Sequence, residues 1–218
     1  MTTTTSGRFR VLAGTRNTDA WTFIALPAEG PDDPHLDGAE QYEPIDVAHT
    51  GHGDHDETVG DLRPGYVVEA TLSWVDADPT VESISVERRS LYAFADDVTN
   101  LFEAATDAWE NARAQGEGMN SQVTKDTDGA VNGVLYVFGE SSGASDLYDE
   151  FRTGQRPIEP LVARVNDREG RAPREVFVLR PAGHEFVVVY ITFDKGGLLP
   201  DTMRDTYDLP RPDEPLFE

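Results

Sequence analysis

Tyr66-Val-Val-Glu-Ala-Thr-Leu-Ser-Trp74 repeats with period two, so Tyr66, Val68, Ala70, Leu72 and Trp74 share one face of a strand. The turn Asp76-Ala-Asp-Pro79 follows, and Val81 to Arg88 supplies a partner strand with Ile84 and Val86 facing inward. Upstream, Arg8 to Ala13 and Trp21 to Leu26 read as a hairpin about Gly14-Thr-Arg-Asn17, after a frayed, Thr-rich lead over 1–6. Between the two hairpins, residues 28–61 hold eleven acids and no Lys or Arg, with Pro and Gly throughout. That composition reads as an acidic insertion or loop holding at most one short strand, near Ile45 to Ala48. Residues 7–95 are therefore expected to form a small barrel-like β unit, open or closed.

The period then changes. Val98, Leu101, Phe102, Ala105, Ala108, Trp109 and Ala112 fall at helical spacing, which predicts an amphipathic helix over about 97–115. Asp96 or Asp97 is the expected cap at its start and Gly116 at its end. Gly116 to Asn132 reads as a polar connection, and Val134 to Phe138 as a strand buried on both faces. Ala144 to Thr153 is predicted helical. Leu161 to Val165, Glu175 to Arg180 and Glu185 to Phe193 are predicted strands, the last two joined about Pro181-Ala-Gly-His184. The expected fold class is α+β: an N-terminal β-barrel-like unit with an acidic insertion, then an α-β-α-β-β-β unit over 96–200, then a turn-rich tail over 201–218.

Forty-one acids stand against eighteen bases, and the only lysines are Lys125 and Lys195. A carboxylate-rich, lysine-poor composition suits a protein that stays hydrated in molar salt, so a salt-adapted cytosolic protein is expected. The start lacks a basic region followed by an apolar one, and no apolar run approaches a membrane span. Localisation is read as cytoplasmic. With no cysteine, thiolate metal sites, disulfides and cysteine nucleophiles are excluded. The net charge of −23 repels nucleic acid at low salt, but the screening length is only about 3 Å at 1 M salt. A nucleic-acid partner therefore stays open.

Several motifs carry candidate chemistry. Gly139-Glu-Ser141-Ser-Gly143 fits the G-x-S-x-G nucleophile elbow between a strand and a helix, with Asp167 and His184 following in the order a serine triad requires. Against it stand the missing α/β series and the missing oxyanion segment. His49, His52, Asp54 and His55 gather metal-ligand types, and Thr50 to His55 reads T-x-H-x-D-H. This resembles the metallo-β-lactamase motif H-x-H-x-D-H except that Thr50 stands in the place of its first histidine, and a solvated loop is the plainer account. Arg113-Ala-Gln-Gly116-Glu-Gly118 matches the acetyltransferase pattern R-x-x-G-x-G, yet it closes a helix where the pattern should open one.

Between Arg152 and Arg180 the chain places seven arginines against four acids, a local positive excess in a strongly acidic protein. Arginine recognises phosphate and bases through its planar fork. Arg164, Arg168, Arg171 and Arg174, with Lys125, are therefore the candidate ligand-binding residues. The rival account makes the arginines internal partners of the acidic insertion.

Leu62-Arg-Pro-Gly-Tyr66, Glu69-Ala-Thr-Leu-Ser-Trp74, Val86-Glu-Arg-Arg89, Gly116-Glu-Gly-Met-Asn120 and Gly133-Val-Leu-Tyr-Val-Phe138 resemble an uncharacterised family of haloarchaeal proteins, a domain of unknown function. The resemblance spans most of 8–200 and implies a salt-adapted cytosolic setting, with no activity and no site residues attached. The function expected is a non-enzymatic binding protein without a cofactor, with single-stranded nucleic acid as the ligand class. A serine hydrolase at Ser141 and a metal-binding protein at His49, His52 and His55 are the alternatives.

Overall fold

The computed structural model describes residues 3–15, 18–28, 33–75, 78–140, 146–183 and 185–214. The chain divides into two compact units. One comprises Met1–Ser90 with Arg152–Ala163 and Pro212–Glu218; the other comprises Leu91–Phe151 and Arg164–Arg211.

The first unit is built on an antiparallel sheet of five strands: β1 (Thr3–Ala13), β2 (Ala20–Leu26), β3 (Pro44–Ala48), β4 (Tyr66–Val75) and β5 (Asp78–Arg89), in the order β3-β2-β1-β4-β5. The lead expected to fray instead begins β1, with Thr3 to Ser6 paired against Trp74 to Thr71. Phe9, Val11, Phe23, Val47, Val68 and Leu72 are fully buried and form the centre of this core. On β1, Arg10 is buried too. Its Nε and Nη2 donate to the two carboxylate oxygens of Glu159 at 3.0 Å each, and its Nη1 donates to Gly65 O at 2.6 Å. Gly154 (φ +76°) packs so closely that a Cβ there would sit 2.3 Å from Ile24 Cδ1.

The barrel expectation is corrected to an open sheet. β3 and β5, its two edges, approach one another, but no ladder joins them. Side chains bridge the gap. After β3 the chain makes a 3₁₀ turn at Gly53–His55 and the short helix α1 (Asp56–Gly60). From this turn, His52 Nε2 donates to Ala48 O (2.7 Å) at the end of β3, while His52 Nδ1 accepts the Val81 N–H (3.1 Å) of β5. His55 Nε2 donates to Glu82 O, the next residue of β5, at 2.8 Å. Trp21 Nε1 donates to Val59 O at 2.8 Å and ties α1 to the sheet.

The second unit is a mixed sheet. Its strands are β6 (Leu91–Val98), β7 (Met119–Lys125), β8 (Val131–Gly139), β9 (Glu175–Pro181) and β10 (Phe186–Thr192), in the order β6-β9-β10-β8-β7. Only β6 and β9 run parallel; the remaining pairs are antiparallel. Leu135, Val137, Phe177, Leu179, Phe186 and Val188 pack with Ala105 and Ala108 of α2 (Glu103–Gln115) and Met203 of α5 (Leu198–Thr206). Two further helices are α3 (Leu147–Arg152), whose Phe151 ring lies 5.8 Å from that of Phe138, and α4 (Glu159–Glu169).

Several boundaries differ from the periodicity reading. The amphipathic helix starts at Glu103 because Leu91–Val98 is drawn into the sheet beside β9, and its N-cap is Phe102, without a side-chain cap. Gly116 closes it in the left-handed region (φ 72°), as expected. Leu161 to Val165 is helical, since Ile158, Val162 and Val165 bury at positions i, i+4 and i+7. The polar connection contains β7, and the tail contains α5. Beyond α5 the chain is held in place, with Asp213 O accepting from Arg63 Nε and Glu214 accepting from Tyr66 Oη, both at 2.7 Å.

The bridge at His52 generates a stability prediction. His52 is 5% exposed, and replacing it by alanine leaves the Val81 N–H and the Ala48 carbonyl without their partner. His52→Ala should lose about 2 to 4 kcal/mol of unfolding free energy, measured by guanidinium denaturation in molar KCl. A change below about 0.5 kcal/mol would remove the histidine from any part in holding the open sheet.

Candidate binding cleft

α4 places Arg164 and Arg168 four residues apart, so both side chains leave the same side of the helix. Both are exposed, and among the described residues neither makes a hydrogen bond or an ion pair. They border a cavity of about 360 Å³ with Val165 of the same helix, Ser121 and Val123 of β7, Val131, Val134 and Tyr136 of β8, and Phe193 just after β10. Glu169 also lines it. The volume lies within the range of small-ligand sites, and the wall combines apolar surface with two convergent cations.

Why these residues meet is plain in the strand register. Val134 and Tyr136 lie two apart on β8 and so share a face, and they stand opposite Val123 and Ser121 of β7. Burial raises the Tyr136 phenol above its ordinary range, while the charges of Arg164 and Arg168 pull it back down. The two guanidinium groups therefore act on the phenol, and with it on the cleft floor.

The remaining candidate residues fall elsewhere. Arg174 is 2% exposed. It donates from Nε to Asn166 Oδ1 (3.2 Å), from Nη1 to Phe193 O (2.8 Å) and from Nη2 to Gly170 O (2.6 Å), with its guanidinium 5.6 Å from the Phe193 ring centre. It is an internal brace, which corrects its expected place on a ligand surface. Arg171 is exposed beyond the end of α4 and is not among the lining residues. Lys125 sits at the far end of β7 and lines a separate cavity of about 410 Å³ with Asn132, Thr192 and Leu198. Sequence reasoning missed Tyr136, Phe193 and Val123. The first two were read as strand residues, and Val123 as part of a polar loop.

The alternatives stand as follows. Both ring nitrogens of His52 bond to the backbone, His55 Nε2 is taken by Glu82 O, and His49 packs against Trp21 with ring centres 4.7 Å apart. Asp54 is exposed. Among the described residues, no three His, Asp or Glu side chains are grouped so as to hold a metal. For the serine triad, Ser141 and His184 lie outside the described residues, and Asp167 is exposed on α4. Gly139, the first glycine of that motif, has a packing reason of its own: a Cβ there would sit 2.5 Å from the Trp109 ring, which stacks on Phe186 at 5.2 Å. The glycines at 116 and 118 follow the end of α2, where no helix N-terminus faces a phosphate.

The chain belongs to the Family of unknown function (DUF6663), whose model matches residues 1–212. No curated protein and no solved structure matches it. Among the described residues no helix is long and apolar enough to cross a membrane. The family assignment attaches no chemistry to the cleft.

The cleft makes a prediction that needs no ligand. The Tyr136 phenol is raised, so it contributes stability below the ordinary tyrosine value of about 10, and that contribution is lost as pH climbs through the folded value. Removing both cations in Arg164→Ala with Arg168→Ala should push the phenol higher still. The check is an alkaline titration of ring-labelled tyrosine by carbon NMR, with Tyr136→Phe to assign the signal. An unchanged or lowered value in the double variant would place the arginines away from the phenol.

Proposed function

We propose that this is a non-enzymatic binding protein, adapted to a salt-rich cytosol, whose cleft receives a nucleotide unit of a single-stranded nucleic acid. The observation that carries the reading is the Arg164 and Arg168 pair. In a chain of net charge −23, two exposed guanidinium groups that make no hydrogen bond or ion pair among the described residues border a cavity of mixed polar and apolar lining that contains Tyr136 and Phe193. An arginine fork can engage a phosphate bidentately or a base edge, and aromatic and apolar walls accept a base. The cavity is of the size of one nucleotide rather than a duplex groove. Phosphate contacts weaken steeply with salt, so in molar salt stacking and hydrogen bonds must supply most of the affinity. A serine hydrolase and a metal protein remain distinct readings, and the cleft residues support neither.

Fluorescence anisotropy with labelled single-stranded RNA, single-stranded DNA and duplex, between about 0.5 and 3 M KCl, tests the proposal. Wild type should prefer single strands. Arg164→Ala with Arg168→Ala should weaken binding about tenfold or more while the melting temperature holds, because neither side chain supports the fold. Equal binding by the double variant, or no binding at any salt, would overturn the reading.

A further inference from the structure

We propose that two copies of this chain associate by antiparallel pairing of their β7 strands. Each sheet ends in two outer strands, and three of the four carry residues that discourage pairing. β3 has Pro44 and Asp46, β5 has Asp78, Pro79, Glu82 and Glu87, and β6 has Asp96 and Asp97. β7 is different. Met119-Asn-Ser-Gln-Val-Thr-Lys125 contains no acid and no proline, in a chain with forty-one acids. Among the described residues, no strand lies beside its outer edge. Exposed apolar side chains gather at the same place, since Met119 (40%), Val123 (47%) and Val131 (44%) all belong to the β7–β8 hairpin.

Pairing has to displace one contact on this edge, where the Ser121 N–H donates to Asn120 Oδ1 at 2.7 Å. On one face Asn120 Nδ2 donates to Ala108 O (3.1 Å) and Gln122 Nε2 to Ala104 O (3.0 Å), so α2 fixes the backbone from behind. Met119, Ser121, Val123 and Lys125 are exposed.

Charge identifies the occupant as a second copy. Two chains of net charge −23 meet most easily where acids are sparse, and β7 carries none of its own, with Glu117 and Asp126 flanking it and Glu169 across the cleft. An antiparallel register centred on Gln122 sets Val123 of each copy opposite Ser121 of the other. It also brings each Lys125 into diagonal reach of the other copy's Glu117, so one ion pair forms twice about the two-fold axis. Directly opposed residues share a face, and Ser121 and Val123 line the cleft, so the second copy supplies an outer wall to each cleft. This inference stands whatever the ligand of the cleft proves to be. One strand pair buries a small interface, so the dimer is weak and reversible.

Sedimentation velocity of the full chain in molar KCl, from micromolar to submillimolar protein, should show a concentration-dependent monomer–dimer equilibrium. Val123→Glu should weaken it about tenfold or more, because it sets like charges near the axis. Val75→Glu, at a 66% exposed position on β4, is the control and should leave it unchanged. At the lowest salt that preserves the fold, Lys125→Glu and Glu117→Lys should each weaken the dimer, and the doubly reversed chain should recover it. A monomer throughout the concentration range would overturn the proposal. So would equal effects of Val123→Glu and Val75→Glu, or a double reversal no better than either single change.

Discussion

A guanidinium group taken out of water has to be matched by carboxylates or carbonyls, and that constraint sorts the arginines of this chain. Arg8 pairs with Glu87 and Asp33, and Arg10 is gripped by both oxygens of Glu159. Glu175, fully buried, accepts from Arg204, from Arg211 and from the Gly196 N–H. Arg180 bridges Asp96 and Asp146 and lies over the Tyr148 ring; desolvation raises the Asp146 carboxyl, but the Asp149 N–H and then Arg180 hold it low. Arg174 uses carbonyls and Asn166 in place of a carboxylate. Local positive charge in the sequence therefore has two fates, brace and surface, and Arg164 with Arg168 takes the second.

The histidine loop follows the same logic of satisfying polar groups. An open sheet leaves unpaired backbone at its edges, and β5 would expose the Val81 N–H and the Glu82 carbonyl to an imperfect gap. The imidazoles of His52 and His55 span that gap with the right atoms at the right separation. His52 satisfies both of its contacts only with the proton on Nε2. What reads in one dimension as a ligand cluster is in three dimensions a substitute for ladder hydrogen bonds.

Strong periodicity was readable without coordinates. The alternation from Tyr66 to Trp74, the apolar run from Val134 to Phe138 and the helix ending at Gly116 all lie where their patterns put them. Failures came where a pattern is short or a neighbour overrides it. Leu161 to Val165 is a five-residue apolar run, a length at which helix and strand look alike until Ile158 is counted with it. β7 looks like a loop because an edge strand with one face in water needs few apolar residues. The cleft was half legible. Excess charge pointed to Arg164 and Arg168 but could not separate them from Arg174, because burial depends on which strand passes beneath. Tyr136 and Phe193 gave no signal, being ordinary strand aromatics until β8 and α4 come together.

The division of arginines into internal braces and ligand-facing groups is the central claim, and the exchange rates of arginine Nε–H protons measure it directly. In nitrogen-resolved NMR of the free protein in molar KCl, the Nε–H of Arg10, Arg174, Arg180 and Arg204 should exchange slowly, because each donates to a fixed acceptor. Those of Arg164 and Arg168 should exchange fast and become protected on saturation with a single-stranded oligonucleotide. Protection of both in the free protein, or fast exchange unaltered by the oligonucleotide, would contradict the account.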